Sequence, residues 1–425
     1  PRRRHRARYR ECRAAGPVSA CWPSRSPSLR QFGGAQRSRI AAEPGAAQQL
    51  VAKRPERIFE PFIVARDPAV EFDELGRADL GIDRGQQTDR QADAAQRREQ
   101  PRAADIVADL DRVKAAIGAR FLGLDRAGRE LGITQLWLKD EGVNPTGSFK
   151  ARGLAAAITR AALGGASRFT LPTAGNAGVA ASAYAARAGL SVRVYAPEST
   201  PRTLLAQIRW FGGDLVLVPG HIGDCGKAAR QFAAETGATD LSTLREPYRI
   251  EGKKTLGLEI AEQFGWTLPE VILYPTGGGT GLIGMWKAFG ELIDAGWVTG
   301  PAPRLYSVQS DGCAPVVRAF EAGRSSAEPW PDPRTVASGL RVPAPLGDRL
   351  MLTALHETHG GAVAVPDQEL TEAAGRFSTM EGLDLSPEGG ATFAALRHLV
   401  AAGQVLPHER IVLFNTGAGW LYRNA

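Results

Sequence analysis

From about Phe121 onward the sequence alternates between two kinds of run, and this limits the folds open to the chain more than any other feature. Short, mostly apolar runs sit at Leu136-Trp137-Leu138, Arg168-Phe169-Thr170-Leu171, Val192-Arg193-Val194-Tyr195, Leu215-Val216-Leu217-Val218, Val271-Ile272-Leu273-Tyr274, Leu305-Tyr306-Ser307-Val308 and Ile411-Val412-Leu413-Phe414. Between them lie longer runs with helical spacing, at 149–163, 177–188, 201–211, 223–235, about 251–264, 281–295, 367–381 and 388–402. Strands that are apolar on both faces must be covered on both faces, and intervening helices do this best when the strands run parallel. The pattern therefore predicts an α/β fold with mainly parallel sheets flanked by helices. No internal repeat is visible.

Residues 1–120 have a different character. The whole chain of 425 residues carries a formal net charge of +7. Residues 1–120 hold 24 Lys+Arg against 16 Asp+Glu, and the remainder 28 against 29, so the excess is confined to the first segment. Arginine-rich tails can bind nucleic acid or act as transit peptides. Here, however, Arg, Ala, Gln and Pro mix without sustained apolar periodicity, and the composition fits an irregular or disordered stretch better. An aberrantly translated segment would have the same composition. No run approaches the roughly 18 apolar residues of a membrane span. Cys12, Cys21, Cys225 and Cys313 are scattered with no Cys-x-x-Cys pair, which speaks against a zinc ribbon or a disulfide framework and for a reducing compartment, the cytoplasm. No metal, nucleic acid or membrane is expected as a partner.

In parallel sheets ligands bind beyond the carboxyl ends of the strands, so the strand-to-helix loops are where chemistry should be sought. After Leu136–Leu138 comes Asn144-Pro145-Thr146-Gly147-Ser148-Phe149-Lys150-Ala151-Arg152-Gly153. Lys150 falls in the first turn of a helix, where the positive end of the dipole makes a neutral amine easier to form. A lysine needs that neutral form to condense with a carbonyl; taken alone, it also reads as a solvated helix lysine. The loop Thr173-Ala174-Gly175-Asn176-Ala177-Gly178 offers a close backbone approach and an amide that both donates and accepts. Pro275-Thr276-Gly277-Gly278-Gly279-Thr280-Gly281 has four glycines in five positions before a helix, the build of a phosphate cradle, and matches neither the Rossmann nor the Walker spacing. Asn415-Thr416-Gly417-Ala418-Gly419 follows the last strand and presents a hydroxyl suited to a ring nitrogen. An amine, an amide, a phosphate cradle and a hydroxyl are together what pyridoxal 5'-phosphate requires. The segment 323–350, rich in Pro, Ser and Arg, reads as a loop excursion bordering that site.

These stretches resemble the fold-type II pyridoxal-phosphate enzymes of the tryptophan synthase β family, over about residues 121–425. Asn144–Lys150, Pro247-Tyr248-Arg249-Ile250-Glu251-Gly252-Lys253-Lys254-Thr255 and Pro387-Glu388-Gly389-Gly390-Ala391-Thr392 look most like the threonine synthases among them. The resemblance implies that Lys150 holds the cofactor and later moves protons, and that Asn176 contacts the ring hydroxyl. Gly277, Gly278, Gly279, Thr280 and Gly281 would hold the phosphate, and Thr416 would face the pyridine nitrogen. Thr173 and Arg249 would bind substrate, Arg249 through its phosphate. It further implies a homodimer, and a lyase that eliminates phosphate from O-phosphohomoserine and adds water at Cβ to give threonine. Two alternatives stay open: a threonine/serine dehydratase-like enzyme and a catalytically silent homologue. The expected organisation is an irregular 1–120, a large domain made of 121–165 and 249–425, and a small domain, 166–248, inserted in it.

Overall fold

A computed structural model describes residues 120–423. Its larger sheet has six strands in the spatial order β1 (Arg120–Gly123), β2 (Gln135–Asp140), β10 (Arg410–Asn415), β7 (Val271–Pro275), β8 (Arg304–Ser310) and β9 (Gly361–Val365). β1 runs antiparallel to β2, and every other pairing in this sheet is parallel. A second sheet, β5 (Asp214–Val218), β4 (Ser191–Pro197), β3 (Arg168–Pro172) and β6 (Thr239–Asp240), is parallel throughout. The mainly parallel α/β architecture read from the alternation is thus present in both sheets.

The central strands show why. In β7, Val271 and Leu273 enter one core while Ile272 and Tyr274 enter the other, and in β10 Ile411 and Leu413 oppose Val412 and Phe414 in the same way. Period-2 alternation with both faces apolar leaves no solvent side, so helices must cover both. One face is covered by α1 (Asp125–Leu131), α10 (Asp367–Glu381) and α11 (Pro387–Ala401). The other is covered by α6 (Tyr248–Gln263), α7 (Thr280–Asp294), α8 (Pro315–Glu321) and α9 (Asp348–Glu357). α3 (Asn176–Arg187) and α4 (Arg202–Trp210) pack on the smaller sheet, α5 (Ile222–Thr236) lies against β3 and β4, and α2 (Lys150–Leu163) links the first strand pair to that sheet.

Every strand and helix expected from the sequence is found within a few residues. β1, α1, β6, α8 and β9 are not expected from the sequence: they are short or built of small residues, and they take their shape from neighbours rather than from a period of their own. α9 is not expected either, although Met351, Leu352, Ala354 and Leu355 give it a buried apolar face of its own. The 323–350 excursion is irregular up to Asp348, where α9 begins. The expectation for 1–120 falls, except for Arg120, outside the described residues. No helix among the described residues is long and apolar enough to cross a membrane.

Beneath the start of α2 lies a buried charge cluster. Arg152 donates to both Glu141 oxygens (2.6 and 2.8 Å) and to both Glu259 oxygens (2.6 and 2.7 Å), and Lys139 reaches Glu259 at 2.6 Å. Asn144 closes the ring by donating to Glu141 at 2.8 Å. Two cations meet two carboxylates, so no net charge is desolvated alone. Burial by itself would raise the Glu141 pKa, but the Arg152 guanidinium, with Lys139 and Asn144, outweighs it and lowers it. A carboxyl lowered in the fold contributes stability above its unfolded pKa of about 4.3 and loses it as the pH falls through the folded value. The stability gap between wild type and Glu141→Gln, from urea midpoints, is therefore expected to be widest near neutrality and to close below pH about 4.

Candidate active site

The Lys150 loop and the loop after β10 are stitched together. Phe149 N–H donates to Thr416 O at 3.0 Å, Ala418 N–H to Gly147 O at 2.9 Å, and Ser148 pairs with Gly417. Lys150 is the first residue of α2, as its position after the loop predicts, and its Nζ lies 3.9 Å from the Phe149 ring centroid. Part of the side chain stays open to a cavity, while protein atoms crowd the amine. Its pKa is lowered to about 7, chiefly by burial and then by Arg249, with Glu388 opposing. The sequence reading credits the helix dipole; the structure adds desolvation and a neighbouring guanidinium.

The structure brings Lys150, Asn176, Gly277 to Gly281 and Thr416 to that one cavity. Asn176 opens α3; its Nδ2 donates to Tyr422 Oη at 2.7 Å, while its buried Oδ1 meets no partner among the described residues. The glycine loop precedes α7, whose first N–H groups have no partners within the helix and so can meet an anion. Its glycines are not merely flexible. A Cβ at Gly277 would overlap Gly339 O, and one at Gly281 would overlap the Tyr274 hydroxyl, whereas Gly278 meets nothing nearer than 3.7 Å. Gly277 and Gly281 are needed for packing, and Gly278 leaves room for a ligand.

Thr173 and Arg249 are not on the cavity wall. Thr173 Oγ1 accepts from Gly175 N–H and Gly178 N–H, both at 2.9 Å, and so holds the Asn176 loop in shape. Arg249 is buried behind Lys150; it donates through Nη1 to Leu241 O at 2.8 Å, and its Nε is buried without a partner. The 323–347 excursion reaches the site through Gly339 and Leu340, as its placement in the sequence suggests.

Sequence reasoning assigned no role to Phe149, Tyr274, Glu388 or Tyr422, all of which line the cavity. Glu388 stands one residue after Pro387, the first residue of α11, where a carboxylate reads as ordinary compensation of the dipole. Its pKa is raised, mainly by burial; Oε1 accepts from Gly339 N–H at 2.8 Å and Oε2 has no hydrogen-bond partner. Lys253 is a further fully buried amine, 4.2 Å from the Phe149 ring centroid on α6 and donating to Phe149 O; burial first, then Lys150, lower its pKa well below normal.

The site fits pyridoxal phosphate on its own features: an amine about half neutral near pH 7, a helix start cleared by glycine, and orphaned polar atoms on Asn176 and Glu388 turned to no protein partner. Gly277→Ala would have to push Gly339 away, and overpacking of this kind costs about 1–3 kcal/mol. The variant is expected to melt earlier and to retain less cofactor on dialysis than wild type.

A family described as pyridoxal-phosphate dependent enzyme matches residues 116–417. The threonine synthase of Methanocaldococcus jannaschii is 34% identical over 292 residues, covering 68% of this chain and 72% of that protein. That of Mycobacterium tuberculosis (strain ATCC 25618 / H37Rv) is 31% identical over 303 residues, 71% of this chain and 81% of that protein. Among solved structures, a threonine deaminase from T.th. is 25% identical with a TM-score of 0.60, covering 75% of this chain and 99% of that one. Maize serine racemase, at 19% identity and a TM-score of 0.62 over 74% and 93% of the two chains, shares the fold. The match runs through both sheets and through the loops that follow β2, β3 and β7, and the chain belongs to the pyridoxal-phosphate dependent enzyme family.

Proposed function

We propose that the chain is a threonine synthase-type lyase, which takes O-phosphohomoserine and water to threonine and phosphate. The observation that carries this reading is the likeness to threonine synthases, at 34% and 31% identity over 68% and 71% of the chain. The glycine loop before α7 provides for one phosphate; the buried Arg249 guanidinium, off the cavity wall but close enough to act on Lys150, has an unpartnered Nε.

Bound pyridoxal phosphate supplies an electron sink for bonds broken at and beyond the substrate's Cα. The chain's residues do the rest. The Lys150 amine holds the cofactor and, when free, takes and returns protons, which a pKa of about 7 allows at neutral pH. The N–H groups of Gly277 to Gly281 would hold the cofactor phosphate, Asn176 would meet the ring oxygen, and the Thr416 hydroxyl would meet the ring nitrogen without holding it firmly protonated. We assign the substrate phosphate to Arg249, which lies off the cavity wall in this structure and must turn its unpartnered Nε edge toward the cavity to reach it. Thr173 serves substrate binding by fixing the loop that carries Asn176. We read 166–248, with the four-stranded sheet, as a small domain set into the large one. We place the enzyme in the cytoplasm as a homodimer; the free, buried Cys225 and Cys313 suit a reducing compartment.

The deciding assay is turnover. Release of phosphate with threonine from O-phosphohomoserine is expected; ammonia from serine or threonine, with the phosphate ester untouched, would assign a dehydratase instead. The lowered lysine makes a separate prediction. The rate at which pyridoxal phosphate attaches to the cofactor-free protein should rise through pH about 7, where the neutral amine forms, and then level off. An ordinary lysine would keep gaining roughly tenfold per pH unit toward about 10.4.

A further inference from the structure

Three residues from distant parts of the chain converge on one stretch of the cavity wall. Asn176 begins α3, Glu388 lies in the first turn of α11, and Tyr422 follows the last loop. Asn176 Nδ2 donates to Tyr422 Oη at 2.7 Å; Tyr422 and Glu388 share the cavity wall and act on one another, and Glu388 Oε2 is a buried acceptor that no other group takes up. Asn176 Oδ1 is likewise buried and unpartnered.

We propose that Glu388 and Tyr422 form a hydrogen-bond relay that sets, through Asn176, whether the cofactor's ring oxygen meets an acceptor or a donor. The inference rests on the reading that Asn176 contacts that oxygen. A phenol has one proton to give, and an amide has one face that donates and one that accepts. With Nδ2 already donating to Oη, the phenol proton goes to ionised Glu388, and Oδ1 is left for the cofactor. Once Glu388 takes up a proton from solvent it donates to Oη instead. Tyr422 then donates to the amide, which must present Oδ1 to it and turn Nδ2 toward the ring oxygen. One proton on Glu388 thereby reverses the polarity offered to the ring.

Burial raises Glu388 above the ordinary carboxylate range and raises Tyr422 well above a free phenol, so the proton that comes and goes is the one on Glu388. The groups facing Glu388 are Lys150 from α2, the Tyr422 and Ser386 hydroxyls, and the N–H groups of Gly339 and of Glu388 itself; Arg249 of α6 acts on Lys150.

The test is the absorbance of the bound cofactor in the holoenzyme from pH about 4.5, near the ordinary carboxylate value, up to about 9. Wild type is expected to titrate. Glu388→Gln, which keeps a donor toward Tyr422, should hold the low-pH spectrum throughout. Tyr422→Phe should also abolish the titration, and adding Glu388→Gln to it should change nothing further. A wild-type spectrum that does not titrate, a wild-type titration retained in Tyr422→Phe, or additive effects of the two substitutions would each overturn the relay. If Glu388→Gln does not load with cofactor, Tyr422→Phe, which lacks a single oxygen, decides alone. Asn176→Ala separates the two layers of the argument. A spectrum unchanged in that variant means Asn176 does not meet the ring; a changed spectrum with the titration intact in Tyr422→Phe means only the relay is wrong.

Discussion

Lys150→Ala is expected to lower turnover by at least about 10³-fold while leaving the fold intact. Alanine is the best helix former and sits comfortably at the start of α2, so local structure should persist. Stability should hold or rise slightly, because the variant removes an amine that burial and Arg249 both disfavour in its charged form. Loss of activity without loss of melting temperature would mark a chemical role. Borohydride reduction followed by peptide mapping provides a second readout: wild type should retain cofactor mass on the peptide that contains Lys150, and the variant should retain none. Lys253 is the informative control. Its amine lies against the same Phe149 ring but donates to Phe149 O and is fully buried. Label on Lys253 in wild type would sink the assignment.

Arg152→Met should produce the largest change in stability. Arg152 is 2% exposed, and its guanidinium holds Glu141 and Glu259 together from the start of α2. Removing it leaves two buried carboxylates with only Lys139 and Asn144 between them, and breaking a buried ion network from one side costs about 3–5 kcal/mol. At roughly 2–4 °C per kcal/mol for a domain of this order, the melting temperature should fall by about 10 °C. Arg152→Met/Glu141→Met/Glu259→Leu, which removes the carboxylates as well, should recover much of the loss, since an apolar replacement of a buried ion cluster is often neutral. A single variant that melts within about 2 °C of wild type would mean that solvent already reaches the cluster. The cluster also bears on the site. It lies two residues beyond Lys150 on the same helix, so cofactor retention should weaken along with stability.

The loops that carry Lys150, Asn176, Gly277–Gly281 and Thr416 are legible in the sequence because each is a local event: an apolar strand ends, small residues turn the chain, and a helix begins. Glu388 and Tyr422 are not legible in this way. Tyr422 meets Asn176 across 246 residues of sequence, and nothing around either residue announces the other. Glu388 is hidden for the opposite reason, because an acidic residue in a first helical turn already has a sufficient local explanation. Lys253 and Arg249 belong to one run, Arg249-Ile250-Glu251-Gly252-Lys253, yet burial separates their chemistry from that of exposed Lys287 on α7.

The alternation of apolar strands and helices, by itself, determined the α/β class, the mainly parallel pairing and the order of the ligand-facing loops, because the two faces of a buried strand admit few arrangements. The residue types in those loops determined the cofactor, because an amine, a phosphate cradle and a ring partner are matched to it atom by atom. Only the tertiary structure decided which strands became neighbours, which glycines serve packing and which leave room, and how far each titratable group departs from its ordinary behaviour. Desolvation depends on how densely distant segments surround a group. Lys150 is held near pH 7 by burial and by a guanidinium from α6, and neither is written in the residues beside it.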